Sequence, residues 1–313
     1  MRASPPLLII SIFFLLFLPL SLFSQSFVGS ISLTVTPEAS RAFEEVSAGL
    51  VSYSTDLNRA DITWILDGKQ QKREVGATRF QFRAGKIGST SKLRVVIRTI
   101  EGAVVEKLLS VRPADVDLIV EANSYVPPFY KGKALFPYLG LATIVAMPSL
   151  SDSKGAPIPA KNLVYKWKKN DKVETIASGF GKSTFVVKGT YILKPITIEV
   201  EVGTLDESVK AKGKVTLTAQ APTIVFYEKH PLYGVIYEKA LVNQITLGGD
   251  EITLAPSPYY FSAQSAGDLA LNYSWFMNNK TVEAPNRSTI TLRKPSIAGS
   301  SQVSLRLNHI SDT

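Results

Sequence analysis

The 313-residue chain contains no cysteine and only two histidines. Without thiols there are neither disulfides nor thiolate metal sites, so every domain must be held together by its apolar core alone. The same absence removes a thiol nucleophile and excludes a lipoprotein attachment site after the N-terminal apolar run. His230 precedes a proline and His309 ends an alternating run. Histidines outside any recognisable motif, as these are, are expected at the surface rather than as ligands or bases. There is no HExxH and no P-loop. The acidic pairs Glu44-Glu45, Asp206-Glu207 and Asp250-Glu251 lack the alternating Asp/Asn and the glycine of a calcium loop, and read as solvated charge. No catalytic residue, cofactor or metal site is expected, and the chain is not expected to be an enzyme.

Charge is not concentrated either. The formal net charge is +9, but lysine and arginine alternate with acidic residues, as in "KWKKNDKVE", and no block forms a basic stripe. Nucleic acid is therefore excluded as an expected partner, while a diffuse positive charge suits a general attraction to anionic envelope material. The sequons beginning at Asn272, Asn279 and Asn286 read as polar turns.

The first stretch, "MRASPPLLIISIFFLLFLPLSLFSQS", has one arginine, an apolar run from Leu7 to Phe23, and small polar residues after it. That order predicts a secretory signal peptide over 1–26, with Ser24 and Ser26 spaced as the small residues before a cleavage site. The apolar run is longer than a usual signal core, so the alternative is an uncleaved anchor and membrane contact through this segment only. Export to an extracytoplasmic location follows in either case.

Beyond the leader the sequence repeats. Its three tryptophans, Trp64, Trp167 and Trp275, occur in one phrase: "ITWILDGK", "YKWKKNDK" and "YSWFMNNK". They are 103 (64 to 167) and 108 (167 to 275) residues apart, one domain length each time. In each copy the phrase reads as a strand ending in a tight turn, because Asp-Gly, Asn-Asp and Asn-Asn tolerate positive φ. A strongly alternating strand begins 29, 29 and 28 residues after the tryptophan, at Leu93, Ile196 and Val303. Pro148 and Pro256 each lie 19 residues before their tryptophan, and the first copy has a shorter run-in.

Period-two alternation, β-branched and aromatic enrichment and regular turn signals predict an all-β protein of tandem sandwiches. The tryptophans are the expected core anchors between facing sheets. The units resemble the immunoglobulin-like or PKD-like repeats of bacterial surface proteins, a resemblance carried by the tryptophan phrase and the later strand. It implies seven-strand, two-sheet domains with spacer or binding roles. The resemblance is one of fold, since the Gly-Asp-Gly turn and His-x-Tyr of PKD repeats and the immunoglobulin cysteine pair are absent. The repeat divides the chain into 27–114, 115–221 and 222–313.

Two features bear on partners. The third unit stops at "HISDT", whereas the first two continue into "AVVEKLLSVRP" and "VKAKGKVTLTA". The third unit is thus expected to lack its closing strand, leaving an open edge beside Val303, Leu305 and Leu307 that could take a partner strand. The aromatic stretches "YVPPFYKGKALFPY" and "FYEKHPLYGVIYEK" open units two and three. They read as rings packed at the joints, or as a platform for glycan or peptide. The functional expectation is a non-catalytic envelope or surface protein that spaces or binds an unidentified protein or glycan, with a secreted carbohydrate- or peptide-binding accessory protein as the alternative.

Overall fold

A computed structural model describes residues 30–128, 130–190, 194–284 and 286–310. The leader expected over 1–26 lies outside the described residues. Among those described, no helix is long and apolar enough to cross a membrane.

The first module contains β1 (Ile31–Thr36), β2 (Glu45–Ser52), β3 (Asp61–Leu66), β4 (Lys69–Val75), β5 (Arg79–Arg83), β6 (Ser91–Arg98) and β7 (Val104–Val111). One sheet runs β1-β2-β5 and the other β4-β3-β6-β7, all antiparallel. The second module repeats this with β8 (Asp115–Ala122), β9 (Leu141–Ser149), β10 (Val164–Lys169), β11 (Lys172–Val173), β12 (Gly179–Phe180), β13 (Thr184–Lys188), β14 (Ile196–Gly203) and β15 (Lys210–Leu217). Its sheets are β13-β9-β8 and β11-β10-β14-β15, with the short β12 also paired to β10. The third has β16 (Thr223–His230), β17 (Gly234–Leu241), β18 (Glu251–Tyr259), β19 (Leu271–Met277), β20 (Lys280–Val282), β21 (Ile290–Arg293) and β22 (Val303–His309). It differs at both edges. Its first sheet gains a strand, β17-β16-β18-β21, and its second, β20-β19-β22, has no described strand beyond β22.

This sheet order makes the protein an all-β array of three immunoglobulin-like sandwiches. Alternation places the cores: β6, for example, buries Leu93, Val95 and Ile97 and turns Lys92 and Arg94 outward. Each tryptophan lies on a central strand, and Trp64, Trp167 and Trp275 are 0, 0 and 2% exposed. An indole N–H buried this deeply needs an acceptor. All three find one at the same place: a backbone carbonyl three residues before the equivalent residue of the facing strand, Phe80, Phe185 and Ile290. Trp64 donates to Ala77 at 2.8 Å, Trp167 to Lys182 at 2.8 Å and Trp275 to Arg287 at 3.2 Å. Phe80 and Phe185 then pack on the first two indoles at 5.6 Å. In the third module Ile290 stands at that position, and the ring comes instead from Phe226 on β16, at 6.0 Å.

The polar turn after each tryptophan strand is a hairpin with two left-handed residues: Asp67 and Gly68, Asn170 and Asp171, Asn278 and Asn279. Such turns match the strand twist and select Asn, Asp or Gly. Why the first of the pair is never glycine follows from its side chain. Asp67 Oδ1 accepts from the Lys92 N–H at 2.7 Å, Asn170 Oδ1 from Thr197 at 2.9 Å and Asn278 Oδ1 from Gln302 at 2.9 Å. The backbone N–H of the same residue donates to the same partner's carbonyl, at 2.9, 2.8 and 2.8 Å. A single residue therefore clips the turn to the start of the next long strand, extending the ladder by one residue pair.

Pro148 and Pro256 fall where their strands have lost a neighbour. β13 pairs β9 only as far as Val145, and β21 pairs β18 only as far as Leu254. Beyond those points a missing N–H removes no ladder bond on that side. The shorter run-in of the first module is a shorter loop, residues 53–60 against 150–163 and 260–270. The third core is also the thinnest. Its fully buried apolar residues form two small groups, around Leu271 and Leu307 and around Leu254, Trp275 and Ile290. The second module has one continuous core from Val116 to Leu217. Val303 and Leu305 are half-buried and Leu307 buried, and the strand carrying them pairs with β19 on one side only among the described residues.

Candidate functional site

The modules meet through defined contacts. At the first joint the Ala114 N–H donates to Ser40 O at 3.0 Å, Arg41 pairs with Asp115 at 3.1 Å and Lys210 reaches Glu38 at 3.4 Å. Gly88 and Gly155, both left-handed, touch there: a Cβ on Gly155 would lie 2.7 Å from Gly88 O. At the second joint the Tyr125 N–H donates to Phe261 O at 2.9 Å. The loop after β8 is held to the connecting segment by Gln220 N–H to Phe136 O at 2.9 Å and Tyr138 N–H to Gln220 O at 3.1 Å.

The two aromatic stretches converge at this second joint. The loop after β8 brings Pro127, Pro128 and Tyr130, and the β16–β17 hairpin brings Tyr233, Val235, Ile236, Tyr237 and Glu238. With Tyr259 from the end of β18 they line an open groove of about 710 Å³. Its position follows from local chemistry. Pro127 and Pro128 hold the loop extended and keep it from joining a sheet. Ser124 Oγ donates to Leu135 O at 2.8 Å, closing the loop's base. The Tyr130 ring lies directly over Gly132, where any Cβ would meet it. On the hairpin side, Tyr227 pairs with Ala240 but Lys229 pairs with Val235. Residues 236–239 thus oppose one residue, Glu228, and this bulge carries Tyr237 and Glu238 into the groove. The hairpin turn is held by His230, whose Nδ1 accepts from the Leu232 N–H at 3.1 Å and whose ring stacks on Tyr233 at 4.7 Å.

The tyrosines divide into two sets. Tyr125 and Tyr227 are buried and belong to the joint. The Tyr125 ring meets Tyr259 edge-on at 6.3 Å, Tyr227 packs on Tyr237 at 5.1 Å, and the Tyr227 and Tyr259 hydroxyls share a hydrogen bond of 2.9 Å. Burial, reinforced by a hydrogen bond with Tyr237, pushes the Tyr125 phenol well above its ordinary range. Burial, with the bond to Tyr227, does the same to Tyr259, and burial raises the nearby Tyr273 to about 12. Tyr130 and Tyr233, in contrast, are 50 and 77% exposed. The packed-ring reading of the aromatic stretches applies to Tyr125 and Tyr227, while Tyr130 and Tyr233 line the groove. Among the described residues, the one charged side chain in the lining is Glu238.

Other candidates stay apart. His230 is on β16 and His309 on β22, in different sheets. A hydrogen bond from the Thr204 side chain, with those from the Ser208 hydroxyl and N–H, lowers Asp206 to about 2. Glu207 pairs with Lys210 at 3.0 Å and Glu251 with Arg293 at 3.4 Å. Among the described residues, no three His, Cys, Asp or Glu side chains are grouped to hold a metal ion. The β16–β17 hairpin was missing from the sequence reading, although Pro231 and Gly234 between two aromatic alternating runs are a turn signal.

No family model matches the chain, and no curated protein matches it. Solved structures similar to it include the fibronectin(III)-like modules of Clostridium thermocellum CbhA. That match has 14% identity and a TM-score of 0.29, and covers 61% of this chain and 95% of that one. Three N-terminal domains of the bacteriophage RB49 highly immunogenic outer capsid protein (Hoc) match at 10% identity, TM-score 0.27, covering 88 and 96%. The central fibronectin-III array of RIM-binding protein matches at 13% identity, TM-score 0.26, covering 89 and 90%. Similarity at this level carries no argument about what the chain does. The class assignment rests on the sheet order and repeated core described above.

Proposed function

We propose that the chain is an exported, non-catalytic array of immunoglobulin-like modules that spaces and presents binding surfaces at the cell envelope. The observation that supports this best is the construction of the joints. Each module packs around its own tryptophan, yet neighbouring modules are tied by ion pairs at the first joint and by a backbone hydrogen bond at the second, with no Gly/Ser linker between them. Joints of this kind hold surfaces at set separations, which a flexible tether does not. The N-terminal leader motivates export. The side of β22 that pairs with no strand among the described residues is, in this reading, the place where a strand from a partner adds.

The native absence of cysteine makes the test clean. Lys69→Cys and Lys172→Cys place single thiols at exposed positions directly after the turns, at the starts of β4 and β11 in modules one and two, for spin labelling. A narrow distance distribution between them is expected, and a broad one would remove the spacer role. Expression from the native leader in a bacterial host should deliver the protein outside the cytoplasmic membrane. Recovery only from the cytosol, leader intact, would remove the envelope location. The exposed tyrosines of the groove favour a second role, in which the array also acts as a binding accessory.

A further inference from the structure

We propose that the groove at the second joint is a binding site for an uncharged oligosaccharide. The inference goes beyond the envelope reading and holds whether or not the chain is exported, since it concerns the purified protein.

Structural packing accounts for Tyr125 and Tyr227, but not for Tyr130 and Tyr233, whose rings are 50 and 77% exposed and face one open groove. Exposed rings held in place by other contacts need an explanation, and both are held: Tyr130 against Gly132, Tyr233 against His230. Side chains of this type offer an apolar face with a hydroxyl at the rim. A sugar ring offers the complement, an apolar C–H face bordered by hydroxyls. The groove volume of about 710 Å³ lies within the range of small-ligand sites, roughly 300–1,000 Å³.

Charge selects among ligands. The chain carries +9, yet among the described residues no lysine or arginine is in the lining and the one charged group there is the Glu238 carboxylate. Anionic ligands, which the rest of the surface would attract, find no cation here and one repelling charge. For an uncharged sugar the carboxylate is an acceptor for hydroxyl protons. Geometry argues against a peptide strand. Strand addition needs a regular edge, whereas β17 bulges by residues 236–239 along the very segment that lines the groove, and bulges blunt edges.

The test is a titration of the intact chain with four neutral hexasaccharides: cellohexaose, chitohexaose, maltohexaose and mannohexaose. A heparin hexasaccharide and a proline-rich decapeptide are the competing ligands. At least one neutral sugar is expected to bind at ligand concentrations up to about 1 mM, a free energy near 4 kcal/mol. Tyr130→Ala and Tyr233→Ala should each weaken it by about tenfold, as expected for loss of one stacked ring. Glu238→Gln should weaken it less. Thermal melts of these variants should match the parent, because the substituted side chains lie outside the cores. Binding of none of the four sugars overturns the proposal. So does sugar binding that survives both tyrosine substitutions, or preference for the heparin fragment or the peptide.

Discussion

Replacing Asn170 tests the turn clip, because this residue combines three separable roles. Its φ is 47°, its N–H donates to Thr197 O at 2.8 Å, and its Oδ1 accepts from the Thr197 N–H at 2.9 Å. Asn170→Asp retains the acceptor and a residue tolerant of the left-handed region, and should leave stability near the parent. Asn170→Gly retains the backbone freedom but removes the side-chain bond. One net hydrogen bond is worth about 0.5–1.5 kcal/mol, and the flexibility of glycine adds a further few tenths through the unfolded state. A loss of about 1 kcal/mol is expected. Asn170→Ala removes the bond and places a Cβ in the left-handed region, which costs about 1–2 kcal/mol more. The expected order of stability is parent, Asp, Gly, Ala. Hydrogen exchange on the intact chain reads this locally, since Thr197 is the amide that loses its acceptor. In the glycine variant its exchange should quicken by about five- to tenfold, as about 1 kcal/mol implies. If the glycine variant matches the parent while alanine falls, only backbone conformation matters and the clip has no energetic weight. If Asp falls as far as Gly, the account of the acceptor is wrong.

Replacing Trp64, Trp167 or Trp275 by alanine should destabilise its own module by about 3–5 kcal/mol, enough to unfold a marginal domain. Burial of all three predicts weak iodide quenching in the native protein, and strong quenching of any would contradict it. Rising pH should weaken the third module and second joint first. Tyr125, Tyr259 and Tyr273 are held protonated in the folded state, while the unfolded phenols titrate near pH ~10. The folded state then binds more protons, so stability is full below pH ~10 and falls as pH rises beyond it. Among the described residues, the second core carries one raised phenol, Tyr165. Calorimetric transitions that shift in parallel between pH 8 and 11 would refute this order. A designed strand peptide of alternating Val and Thr should raise the melting temperature of the third module by occupying the β22 edge. No change in melting or self-association would show that the edge accepts nothing.

The repeat was legible in the chain because one local signal recurs three times. A tryptophan followed by a two-residue turn states a buried strand and a hairpin, and alternation about 29 residues later states the strand that covers it. The strong preference for Asp or Asn at the first turn position was visible as well, but only as a turn signal. Its second role, accepting from an amide 25, 27 or 24 residues onward, needed the register of the paired strands.

The sequence by itself determined the all-β class and the tandem repeat, because period-two burial and turn chemistry are properties of neighbouring residues. It also carried the absence of thiols, which obliges each core to suffice alone. Only the tertiary structure decided that the indoles share one kind of acceptor, that Phe226 replaces a missing ring in the third core, and that Tyr130 and Tyr233 face one groove. Tyr130 and Tyr233 sit in different modules, about a domain length apart in the chain. Their meeting depends on the joint and on the β16–β17 hairpin turn, neither of which has a period that the sequence could display.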